Sequence, residues 1–193
     1  MKRNRNILGV ALVLSLVAVL LPATIFAAET GEVSCTVSGK LISVSVTDGS
    51  VAYGTLDLST TKNSALYDAI NNANGMTPAQ TQTITNTGSV AEDFNMKTSN
   101  AIGSTDWTLH ATTPGSELFT YAYLVSDTAY AGSAAIGAFT KWATAGSYVA
   151  DAGGDDVAAS GVKYLELEIG MPTSSADYAE HTITVTVLAV AHT

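Results

Sequence analysis

Carboxylates offer the strongest chemical lead in this sequence. Asp151-Ala152-Gly153-Gly154-Asp155-Asp156 places three of them in a glycine-rich stretch. Calcium takes six to eight oxygen ligands from a flexible loop, so Asp151, Asp155 and Asp156 are candidate ligands and calcium the candidate ion. The spacing is not that of an EF-hand, and a solvated acidic loop is the competing reading. Glu166 and Glu168 are a second pair. On one face of a strand they stand about 6.5–7 Å apart, a separation that suits acid–base work on a sugar. Alternating acids on a solvent face are commonplace, however, and call for no catalysis.

The remaining side chains give less. His110, His181 and His192 form no H-E-x-x-H pair and no ligand spacing with Cys35, so a zinc site would need convergence in three dimensions. Glu180 and His181 are adjacent and point to opposite faces of a strand. No serine sits in a G-x-S-x-G elbow, and no glycine-rich loop follows a strand in phosphate-cradling form. Trp142, beside Lys141, is the candidate exposed aromatic for stacking on a glycan, whereas Trp107 falls on a core face. The chain therefore reads as a non-enzyme, with no catalytic residue and no cofactor apart from the calcium candidate.

The N-terminus has the layout of a secretory signal peptide. Lys2, Arg3 and Arg5 precede an apolar run over Ile7–Leu21, then Pro22 and small residues up to Ala27-Ala28. Cleavage after Ala27 gives a signal peptide of 1–27 and one domain over 28–193. The alternative is an uncleaved anchor, because Ile7–Ala28 is just long enough to span ~30 Å. No second apolar segment of that length follows, so no membrane insertion is expected after cleavage. Cleavage removes three of eight basic residues and none of the 17 acidic ones, taking the net charge from −9 to −12. A chain left with five lysines and no arginine has no footprint for nucleic acid. Its single-sign charge favours a soluble protein, secreted or at the cell surface. Cys35 is the only cysteine, which excludes an internal disulfide and suits a small buried apolar residue.

The elements that would position these residues are strands. Gln80–Thr98 reads as a hairpin turning at Asn86-Thr87-Gly88-Ser89, with Phe94 and Met96 on one face and Glu92 as the misfit among them. Glu32–Ser38 (Val33, Cys35 and Val37 on one side) and Leu41–Thr47 (Ile42, Val44 and Val46 inward) form another. Val51–Leu58 is a strand interrupted by Gly54. Asn63–Asn72 is the one helical candidate, with Leu66, Ala69 and Ile70 at helical spacing. Asp106–Ala111 puts Trp107 and Leu109 together. Glu117–Val125 is apolar on both faces and so central. Ala138–Trp142 is a short strand between two loops, Ser126–Gly137 and Ala143–Gly161. Val162–Ile169 turns Leu165, Leu167 and Ile169 inward and Glu166 and Glu168 outward. Glu180–Ala191 closes the chain as one strand, its last third covered. The expected fold is an all-β, antiparallel β-sandwich, jelly-roll or Ig-like, with one short helix.

Three stretches carry a family resemblance. G-T-L-D-L (Gly54–Leu58), T-Q-T-I-T-N-T-G-S (Thr81–Ser89) and H-T-I-T-V-T-V-L-A-V-A (His181–Ala191) resemble the camelysin/TasA-like secreted proteins, in the same order after a signal peptide. The resemblance implies a β-sandwich surface or matrix protein, some relatives of which assemble into fibres by lending an N-terminal strand to the next subunit. Here the donor segment would be Glu29–Ser38, through Val33, Cys35 and Val37. The expected partners are further copies of the chain or other surface proteins. A glycan- or protein-binding module using Trp142 is the alternative. Asp106–Gly161 has no counterpart in that family, and nothing in the chain supports the protease activity ascribed to some members.

Overall fold

The computed structural model describes residues 37, 39–130, 132 and 135–193. The signal peptide, and Val33 and Cys35 of the expected donor strand, lie outside the described residues; Val37 is exposed. Gly39–Thr193 forms one compact unit. Among the described residues its ten strands are β1 (Val44–Thr47), β2 (Thr61–Asn63), β3 (Gln82–Asn86), β4 (Glu92–Thr98), β5 (Thr108–Leu109), β6 (Leu118–Ser126), β7 (Thr140–Lys141), β8 (Val149–Val157), β9 (Val162–Gly170) and β10 (Val185–Ala191). They make a seven-stranded sheet, ordered β1-β3-β9-β6-β5 with β2 also on β9 and β7 also on β6, and a three-stranded sheet, β10-β4-β8. All pairs are antiparallel except β5 with β6. Ile84, Phe119, Tyr121, Leu165, Leu167 and Ile169 from the larger sheet share one core with Phe94, Met96 and Val157 from the smaller.

The Gln80–Thr98 hairpin does not form. Its two arms are strands, but β3 pairs with β1 and β9 while β4 pairs with β8 and β10. The chain instead arches from one sheet to the other through Thr87–Ala91. Asn86 builds the arch: its buried amide donates to the Val90 and Val157 carbonyls, and its oxygen accepts from the Gly88 amide at 2.8 Å. Gly88 is required there, because a Cβ would run into the Glu92 carboxylate and the Leu41 carbonyl. Alternation gave the faces of the second arm correctly. Strand partnership depends on what covers each face, which a local turn motif does not encode.

Other expectations also change. No helix forms over 63–72, because side chains capture the backbone and one another first. The Asn63 and Asn72 amides exchange hydrogen bonds at 2.8 and 3.0 Å, and Asp68 Oδ1 accepts from the Ile70 and Asn71 amides. Ile70, on the supposed apolar stripe, is almost fully exposed. Val51–Leu58 is irregular, with Gly54 at φ 70°, although Val51, Tyr53 and Leu56 still pack on the core. Ile42 and Val46 are exposed rather than inward. The closing strand starts at Val185, and its outer residue Leu188 is exposed rather than covered. The central position of β6, between β9 on one side and β5 and β7 on the other, agrees with its two apolar faces.

The acidic stretch 151–156 is strand, not loop. Asp93 Oδ1 accepts from the Asp156 amide and Asn95 Oδ1 from the Asp151 amide, each at 2.9 Å. These bonds hold β8 against β4 through two irregularities, where Asp151, Gly154 and Asp156 take positive φ. The glycines serve packing: a Cβ on Gly153 would approach Phe94 Cβ to 2.8 Å.

Candidate functional site

Three features place chemically capable side chains or backbone groups in a built setting. The first lies at one end of the smaller sheet. There Asp93 of β4, Asp155 of β8 and His192, one residue beyond β10, bring their ligand atoms within 4.8 Å of one another. His192 Nδ1 is 2.7 Å from Asp93 Oδ1 and 3.5 Å from Asp155 Oδ1. The hydrogen bond to Asp93 raises the His192 pKa above that of an ordinary histidine, with Asp156 and Asp155 adding to it. Asp93 is correspondingly lowered, chiefly by the Asp156 amide and then by His192. Of the three predicted calcium ligands, only Asp155 puts its carboxylate into this group. Asp156 contributes its amide, and Asp151 lines a separate cleft of about 420 Å³ with Tyr123, Thr140 and the ion-paired Lys163 and Asp127.

The second feature is the free edge of β1. Among the described residues β1 pairs only with β3. The Thr87 amide donates to the Ser43 carbonyl, while the Asn86 amide turns away to the Gly161 carbonyl. Antiparallel alternation then points the backbone groups of Ser45 and Thr47 toward β3 and those of Val44 and Val46 outward. Val46 is 39% and Ile42 46% exposed along this edge. The start of the edge is anchored from inside by Glu92, whose Oε1 accepts from the Ser43 amide at 2.8 Å. Glu92, the misfit on its apolar face, is fully buried, and its Oε2 has no partner among the described residues.

The third is a buried carboxylate on the far side of β9. Glu166 was expected to face solvent but is 2% exposed. Ser64 Oγ donates to its Oε2 at 2.6 Å and Thr81 Oγ1 to its Oε1 at 2.5 Å. Burial raises its pKa, against which the two hydroxyls act. Glu168 is raised by burial too, with Lys141 opposing. A carboxylate closed in by two hydroxyls and the 59–81 segment offers no face to a sugar.

Trp142 is not a surface platform either. It is fully buried, with Tyr123 and Tyr121 ring centroids at 4.6 and 5.5 Å. His181 stacks on Trp107 at 3.7 Å, and both its ring nitrogens lie 2.9 Å from backbone carbonyls. His110 Nδ1 accepts from the Thr113 amide. Those two histidines are structural. His192 and Asp93 were missed as partners because 99 residues separate them, and only the β10–β4 register unites them. No protein-family model, curated protein or solved structure matches this chain.

Proposed function

We propose that the chain is a secreted, non-enzymatic structural subunit of a cell surface or extracellular matrix, a β-sandwich of the camelysin/TasA-like kind that assembles by strand addition. The observation that carries this reading is the β1 edge, unpaired among the described residues, where Val44 and Val46 turn backbone groups outward beside exposed apolar side chains. An unblunted edge of this kind is a template for a further strand. The alternating Val33, Cys35 and Val37 of a second copy supply one, with main-chain hydrogen bonds giving affinity and alternate side chains giving register. The partner is then another copy of the chain. The glycan- or protein-binding alternative loses its anchor, since Trp142 lies in the core.

Two changes to the mature protein test this. Deleting 29–38 removes the donor, and Val46→Pro removes an outward N–H while leaving the β3 pairing of Ser45 and Thr47 intact. Each is expected to give folded monomers by circular dichroism and light scattering where the parent forms polymers in negative stain. Polymers unchanged by both alterations, or a parent that never polymerises, would overturn the reading.

A further inference from the structure

The Asp93–Asp155–His192 group has a consequence separate from assembly. Its members come from β4, β8 and the residue that follows β10, and register explains why they meet. Ala191 pairs with Glu92, whose side chain faces the core. His192 therefore follows on the outer face, next to Asp93, and its amide is pinned to the Ala91 carbonyl at 3.0 Å. On β8, three residues span the interval from Gly154 to Val157 that two span on β4. The extra residue brings Asp155 to the same corner.

The imidazole decides what the group suits. Calcium is an oxygen-ligand ion, whereas one histidine with two carboxylates is a donor set for zinc-class ions. His192 Nδ1 and Asp155 Oδ1 lie 3.5 Å apart. Bonds of about 2.0–2.1 Å in a tetrahedron give a ligand–ligand edge of about 3.4 Å, which this spacing matches. The 2.7 Å contact between His192 Nδ1 and Asp93 Oδ1 is a hydrogen bond that opens when an ion takes the place of the Nδ1 proton. Asp93 is already oriented by the Asp156 amide, the kind of outer contact that fixes carboxylate ligands. Asp155 is largely exposed, so an ion has access from solvent and a fourth position for water.

We propose that Asp93, Asp155 and His192 form a binding site for a divalent transition ion of the zinc class. The ion is held by Asp93 Oδ1, Asp155 Oδ1 and His192 Nδ1 and releases the Nδ1 proton to solvent. It ties β10 and β8, the two outer strands of the sheet, to β4 between them.

The test uses untagged mature protein, stripped with chelator. Zn²⁺ is expected to raise the melting temperature by a few degrees and to saturate at one ion per chain, and Co²⁺ to give the strong visible bands of four-coordination. Asp155→Asn alters an exposed side chain and His192→Gln a partly exposed one, so both variants are expected to keep the fold. Each is expected to lower Zn²⁺ affinity by about a hundredfold or more, at or above the cost of losing an outer-shell partner. Asp151→Asn is expected to keep the parental response, and Ca²⁺ to give none. Absence of both the Zn²⁺ shift and the Co²⁺ bands would overturn the proposal. So would a Zn²⁺ response that survives in Asp155→Asn and His192→Gln, or an equal response to Ca²⁺. Polymerisation is not part of this readout, so either proposal can fail alone.

Discussion

The Ser64 hydroxyl donates to Glu166 Oε2 at 2.6 Å while its oxygen accepts from the Leu167 amide at 2.8 Å. One small side chain thus fixes the segment after β2 to two successive residues of the central strand β9. Both partners are buried, so Ser64→Ala leaves a carboxylate oxygen and an amide short of a bond. The expected loss is about 1–3 kcal/mol, read from urea denaturation. A loss within error would mean that water replaces the hydroxyl.

Glu166 itself sets a pH dependence. Its folded pKa is raised by burial, so the folded chain holds this proton to higher pH than the unfolded chain does. Stability is then greatest below the ordinary glutamate pKa, declines as pH rises through the interval up to the folded pKa, and stays reduced above it. Glu168 contributes in the same direction. Glu166→Gln is expected to flatten this decline and to melt higher than the parent at neutral pH. Parallel melting-temperature profiles for the two proteins between pH 4 and 8 would refute the assignment.

Trp142 fills the core between Tyr121 and Tyr123. Trp142→Ala is expected to cost about 3–5 kcal/mol through lost burial and the cavity left behind. Trp142→Phe, which keeps an aromatic ring against both tyrosines, should cost less. A stable Trp142→Ala protein with altered ligand binding would instead restore the residue to the surface.

The faces of β4 and β9 were legible because alternation reports them directly. Leu165, Leu167 and Ile169 on β9 and Phe94 and Met96 on β4 all lie where the period of two puts them. What covers a face was not legible. Glu166 looks outward from β9 but meets Ser64 and Thr81, which reach it from 102 and 85 residues away. β8 was missed because aspartate and glycine have low strand propensity, and the side-chain oxygens of Asp93 and Asn95, accepting from its amides, hold it in place instead. The false helix failed for a related reason: Asn63, Asp68 and Asn72 satisfy each other and nearby amides more locally than a helix would. Of the candidate site, only Asp155 was visible, since its partners depend on register and not on spacing.

The arch at Thr87–Ala91 also sets an order of events. The chain leaves the larger sheet as it passes Gly88 and enters β4, whose pairing with β8 is completed on its other side only by β10, where Glu92 meets Ala191. Pairings that distant in sequence are slow to close, because the loop entropy is lost before any contact is gained. The apolar face carrying Phe94 and Met96 therefore stays without its full sheet until the last described strand is made. A chain built this way closes its smaller sheet last, through its most distant strand pairing.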